Sequence, residues 1–163
     1  MSKLVMHRNC YPDSDDLGPR LRGIDKFEVR VTNDWAPAAA IRESIAKSTL
    51  YWTGTIDDQE EMVVGVAPLD HCPGWAAPWM LTTDRFIYSP GACRDFLRRT
   101  PAFVEECAKG FDVLFNLISE HNYASRRWLR YADFKIKLNP PQIIKGYRFL
   151  EFIRVTPGGT YWE

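Results

Sequence analysis

The sequence predicts an α/β domain in which a mixed central β-sheet is flanked by helices on both faces. Three observations carry this expectation. Short runs rich in β-branched and aromatic residues alternate with longer segments of helical periodicity. Gly, Pro, Asn and Asp fall at the joints between them. The composition, 45% hydrophobic with 13% aromatic in 163 residues, is enough for one well-filled core and argues against disorder.

Taken in order, a short strand is expected over Lys3–Arg8. A helical stretch follows from Asp15 to Val31, with Ser14 as N-cap and acidic Asp15 and Asp16 suited to a helix start. A second helix covers Pro37–Lys47, where Ala38, Ile41 and Ile45 recur on one face. Strands over Thr49–Ile56 and Met62–Ala67 enclose a polar hairpin turn, Asp57–Glu61. Pro68, Pro73 and Gly74 break the chain before a strand at Trp79–Thr83. From Ser89-Pro90-Gly91 a long helix runs to Lys109, kinked at Pro101 or split there with Thr100 as a new cap. Val113–Ile118 reads as a buried strand, and Asn122 caps a helix to Ala132. Strands at Phe134–Leu138 and Tyr147–Val155 complete a single domain, residues 1–156. Pro157-Gly158-Gly159 should release residues 157–163, with Tyr161 and Trp162, as a flexible arm.

Lys+Arg and Asp+Glu both number 21, so the chain exerts no global pull on nucleic acid or anionic membrane, although a local basic patch stays open. Neither is expected as a partner. The cysteines Cys10, Cys72, Cys93 and Cys107 match no zinc spacing and the three histidines are scattered, so no metal is expected and the thiols read as free. The apolar run Leu4-Val5-Met6 is too short for a signal-peptide core. No stretch approaches the roughly 20 apolar residues of a membrane span.

Asn122-Tyr-Ala-Ser-Arg-Arg-Trp-Leu-Arg-Tyr-Ala-Asp-Phe134 resembles the last conserved motif of the GCN5-related N-acetyltransferases (GNAT), in which a helix-capping Asn precedes a Phe by twelve residues. A phage-encoded subfamily that includes the small internal virion protein of short-tailed podoviruses is similar over roughly residues 3–155. That likeness rests on Leu21-Arg22-Gly-Ile-Asp25-Lys-Phe-Glu28, Gly65-Val-x-Pro68, Trp79–Asp84, Gly91, Arg94-x-Phe96-Leu-Arg98, Asn116 and Arg127-Trp128-Leu129-Arg130.

The resemblance implies a GNAT-like fold. It also implies, in a working enzyme, a glycine-rich loop at a helix N-terminus for the pyrophosphate of acetyl-CoA, a splayed strand pair for the pantetheine arm, and an acid and a base. The corresponding cofactor residues are Leu81, Thr82 and Thr83 on the strand, Gly91, Ala92 and Arg94 at the helix start, and Asn122. This loop is poor in glycine, however, and Pro90 removes a donor. The family's acidic Tyr falls on Leu129, while Tyr131 lies about 200° further round the helix. Asp70 and His71 are the candidate bases, and Tyr131 completes the catalytic candidates. Cys72 and Cys93 have no base partner in sequence, and no P-loop, nucleophile elbow or His-Glu-x-x-His motif is present. Arg126, Arg127 and Arg130 beside Trp128 could suggest RNA binding, against the simpler expectation that Trp128 packs beneath its helix.

The implied function is that of a phage protein with a degenerate acetyltransferase site, acting in virion assembly or inside the capsid. It would partner a phage or host protein, with self-association possible, in the host bacterial cytoplasm or the virion interior. The alternative is an acetyl-CoA-dependent N-acetyltransferase acting on a host protein during infection.

Overall fold

The computed structural model describes residues 3–157. Strand β1 (Leu4–Arg8) leads into a short helix α1 (Ser14–Leu17), a 3₁₀ turn (Gly18–Arg20) and helices α2 (Gly23–Asn33) and α3 (Pro37–Lys47). Strands β2 (Leu50–Ile56), β3 (Gln59–Pro68) and β4 (Trp75–Thr82) follow, then helices α4 (Asp84–Ile87) and α5 (Pro90–Ala108). Strand β5 (Val113–Ser119), helix α6 (Tyr123–Tyr131) and strands β6 (Lys135–Ile144) and β7 (Tyr147–Val155) complete the order. The seven strands form one sheet in the order β1-β2-β3-β4-β5-β7-β6, antiparallel except for the parallel pair β4–β5.

Strand β3 shows why helices cover both faces. Its side chains alternate, so Met62, Val64 and Val66 enter one core with Phe96, Phe103 and Leu129 beneath α5 and α6. Val63 enters a second core with Leu17, Leu21, Ile41, Ile45 and Leu81 beneath α1 and α3. A strand buried on both faces reads as an unbroken apolar run, as Met62-Val63-Val64 does.

The single helix expected over residues 15–31 is two helices. Its proposed cap is displaced too, since Asp13 caps α1 by accepting the Asp16 N–H at 3.3 Å. Pro19 and the extended residue Leu21 break the chain, and Arg22 leads into α2. The β2–β3 turn is also tighter than expected. Asp57 and Asp58, at φ 50° and 63°, form a two-residue turn whose twist suits a hairpin. Glu61 therefore lies within β3, buried because Arg20 and Thr83 pair with its carboxylate at 2.9 and 2.5 Å. Strand β4 begins four residues before the expected Trp79, so it includes Pro78.

Pro101 neither splits α5 nor places Thr100 as a cap. Proline at this position removes the N–H that would bond the Leu97 carbonyl. The Tyr131 hydroxyl donates to that carbonyl at 3.2 Å, and the Thr100 hydroxyl donates to the Phe96 carbonyl at 2.8 Å. Trp128 packs as the simpler expectation had it. Its ring stacks on Phe96 at 5.4 Å, and its indole N–H donates to Thr100 at 3.0 Å. The proposed arm, apart from Pro157, lies outside the described residues.

Candidate functional site

Parallel strands β4 and β5 pair only through Trp75–Val113 and Ala76–Leu114, then part. Along the edge of β4 that β5 leaves, the backbone groups of Pro78, Met80 and Thr82 point outward by the alternation of an antiparallel ladder with β3. Proline suits this edge, because its missing N–H would have had no strand partner. Asn116 of β5 reaches across and donates through Nδ2 to the Pro78 carbonyl at 2.9 Å.

At the far end of the same edge, the chain's own residues 21–25 take up Thr82. The Arg22 N–H donates to the Thr82 carbonyl at 2.8 Å, and an isolated bridge joins Leu21 to Thr83. Asp25 Oδ2 accepts the Thr82 N–H at 2.9 Å and the Thr82 hydroxyl at 3.3 Å. Arg22 donates to Asp25 through both Nε (3.1 Å) and Nη2 (2.9 Å), and through Nη2 to the Ser125 hydroxyl of α6 at 3.2 Å. Arg22 is 6% exposed and Asp25 2%, so a bidentate ion pair spans the gap between β4 and α6 out of contact with water. Burial pushes the Asp25 carboxyl above its ordinary range, against the opposing pull of Arg22.

Beyond this bridge lies a cavity of about 540 Å³ between the parted strands, with Trp79, Met80, Leu117 and Phe149 in its walls. Glu28, one helical turn after Asp25 on α2, lines it. Its Oε1 accepts from Asn122 Nδ2 at 2.7 Å and from the Ser119 N–H at 3.3 Å. Burial first, and then the nearby Asp25 charge, raise this carboxyl from 4.5 to about 8, so near neutral pH it is largely protonated.

The residues singled out from sequence fall into four places. Asp70, His71, Leu81 and Asn122 line the cavity, the first two on the exposed β3–β4 loop. Asn122 caps α6 through Oδ1, which accepts from the Ser125 N–H at 3.4 Å, while its Nδ2 orients Glu28. Thr82 is held by Asp25, and Thr83 caps α4 and donates to Glu61. Gly91 and Ala92 form the first turn of α5, and Arg94 is exposed just beyond. Tyr131 is exposed, its hydroxyl directed at α5 rather than at the cavity. Of the thiols, burial raises that of Cys93, and that of Cys107 to about 12, which keeps both protonated.

The residues missed in sequence are Arg22, Asp25, Glu28 and Ser125. A faint signal existed, since Arg22, Asp25 and Glu28 recur every three residues on one helical face with Val29 and Thr32, which also line the cavity.

No family model matches the chain, and no curated protein does. Solved structures do. An acetyltransferase of Bacillus subtilis, determined in complex with CoA, superposes with a TM-score of 0.58 at 10% identity, covering 96% of this chain and 100% of that one. An acetyltransferase of Streptococcus agalactiae gives 0.63 at 11% identity, over 95% and 98% of the two chains. One of the GNAT family from Streptococcus pneumoniae gives 0.58 at 9%, over 94% and 100%. The chain has the GNAT fold. At these identities the likeness speaks for architecture, and activity has to be argued from the site. Within the GNAT fold, the parted β4–β5 pair is the cleft the resemblance assigns to pantetheine. No helix among the described residues is long and apolar enough to cross a membrane.

Proposed function

We propose that this protein uses the GNAT fold for association rather than acetyl transfer, and that it serves phage virion assembly or resides in the virion interior. The observation that carries the first half is the occupation of the Thr82 end of the β4 edge by residues 21–25. A pantetheine arm needs free backbone donors and acceptors there, yet both groups of Thr82 and the Pro78 carbonyl are already engaged, which leaves only Met80 between them facing the cavity. Displacing the segment would strand a buried arginine and a buried aspartate, at a cost of several kcal/mol. Pro90 and the single Gly91 leave the start of α5 poorly suited to a pyrophosphate, and Leu129 stands where a working enzyme would carry its acid. These residues do not fit acetyl-CoA. The second half rests on the likeness of the sequence to phage-encoded internal virion proteins. A phage or host protein is the implied partner.

One observation favours the alternative, an acetyl-CoA-dependent N-acetyltransferase of host proteins. Glu28, with its carboxyl raised to about 8 and facing a cavity, has the properties of a general base for an amine. Incubation with acetyl-CoA and lysine-containing peptides discriminates the two. Release of CoA thiol at the buffer's background rate is expected; release above background that disappears in Glu28→Gln would establish the transferase instead.

A further inference from the structure

The cavity beyond the Arg22–Asp25 bridge has a chemistry of its own, independent of whether the protein serves association. At about 540 Å³ it falls within the size range of small-molecule sites. Strands β4, β5 and β7 line it with Trp79, Met80, Leu117 and Phe149. Several polar side chains in its walls are spent on the protein itself. Trp79 donates its indole N–H to the Ser48 hydroxyl at 2.7 Å, which leaves its ring for the cavity. Asn116 donates to the Pro78 carbonyl and accepts the Leu117 N–H at 2.8 Å, and Asn122 is engaged at both side-chain polar atoms.

Glu28 differs. Its Oε1 accepts from Asn122 and from the Ser119 N–H, whereas Oε2 has no partner among the described residues. Oε2 is not sealed off, since the half-buried side chain keeps surface open where it lines the cavity. With its carboxyl raised to about 8, Glu28 holds a proton near neutral pH. Oε1 already accepts two hydrogen bonds, so the proton belongs on Oε2. Its O–H is then a donor among apolar walls, and its complement is an acceptor.

Charge narrows the ligand further. Asp25 and Arg22 face Glu28 from α2 and its lead-in, and they pair with each other. Lys47, Asp70 and His71 are the other titratable groups of the lining, all exposed, while strands β4 to β7 and helix α6 contribute none to it. A cation would gain a counter-charge only by ionising Glu28 one turn from Asp25, and an anion would lie against two carboxyls. A neutral molecule meets neither cost.

We propose that this cavity binds a neutral, largely apolar small molecule whose carbonyl oxygen accepts a hydrogen bond from Glu28 Oε2. Three probes of one shape and different charge test it by ligand-observed NMR titration: acetophenone, 1-phenylethylamine and benzoate. Acetophenone is expected to bind at pH 6.5 with a Kd of roughly 1 mM or tighter, and the charged probes at least about tenfold more weakly. Its affinity should fall about tenfold by pH 9, as Glu28 loses the proton that the ligand needs. Glu28→Gln puts an amide N–H in place of the Oε2 hydroxyl, so it should bind the ketone at pH 6.5 and lose the pH dependence. Glu28→Leu should weaken binding about tenfold, and if it fails to fold, the Gln variant carries the test. Melting curves at both pH values establish that each protein is folded. No ketone binding at pH 6.5 would overturn the proposal, as would a pH profile that Glu28→Gln leaves unchanged. So would tighter binding of the amine with an affinity that rises with pH, which would make Glu28 a carboxylate site for cations.

Discussion

Glu28→Gln is expected to reduce a fall in stability that the parent protein shows between about pH 5 and pH 8. The folded state holds the Glu28 proton up to about pH 8, whereas the unfolded chain releases it near 4.5. Between these values the folded state binds the extra proton, so stability declines as pH rises. The contribution is fully present below the lower value and is gone above the upper one. Water in the cavity softens the penalty, and a loss of roughly 2–4 kcal/mol over the window is expected. Glutamine keeps the carbonyl that accepts from Asn122 and Ser119 but cannot ionise. The variant should therefore resemble the parent near pH 5 and exceed it at pH 8.5, with a residual slope from Asp25, whose carboxyl is also raised. Chemical denaturation across pH measures this directly. If the two profiles superimpose, Glu28 is hydrated and titrates as an ordinary carboxylate.

Arg22→Met should cost about 3–5 kcal/mol at pH 7, because it leaves Asp25 buried beside Thr82 without its counter-ion. Asp25 can escape only by taking up a proton, which costs about 1.4 kcal/mol for each pH unit above its unfolded value. The loss should accordingly shrink toward pH 5. A second substitution, Asp25→Leu, removes the stranded charge and should recover part of the stability, since buried ion pairs often give way to apolar residues of similar size at little cost. Thermal melts of the two single variants and the double variant test the pair. If Arg22→Met melts like the parent, the bridge between β4 and α6 is open to water and does not fill the cleft.

The two substitutions also show which parts of this protein could be read from its sequence. Helix α3 and strand β7 were placed at their observed boundaries because Pro37 marks one and a run rich in aromatic and branched residues marks the other. The cap at Asn122 was legible for the same reason, a local hydrogen bond announced by a local residue type. Arg22, Asp25 and Glu28 stood inside a stretch already noted for its resemblance, yet their role was not legible. Their partners, Thr82, Ser125, Ser119 and Asn122, are far away in the chain, and only the sheet order brings β4, β5 and α6 against α2. Pro101 presented a similar difficulty. Its effect on α5 depended on Tyr131, thirty residues on, which gives the exposed carbonyl a donor and lets the helix continue.

The claim that the β4 edge has too few free backbone groups to hold a pantetheine arm meets its most direct test in calorimetric titration of acetyl-CoA into the purified protein near pH 7. With residues 21–25 on Thr82 and Asn116 on Pro78, a Kd weaker than roughly 100 µM is expected, or less than about 5.5 kcal/mol of binding free energy. A low-micromolar isotherm would contradict the account, because it would require the Arg22–Asp25 bridge to leave the strand at a cost the cofactor readily overcomes.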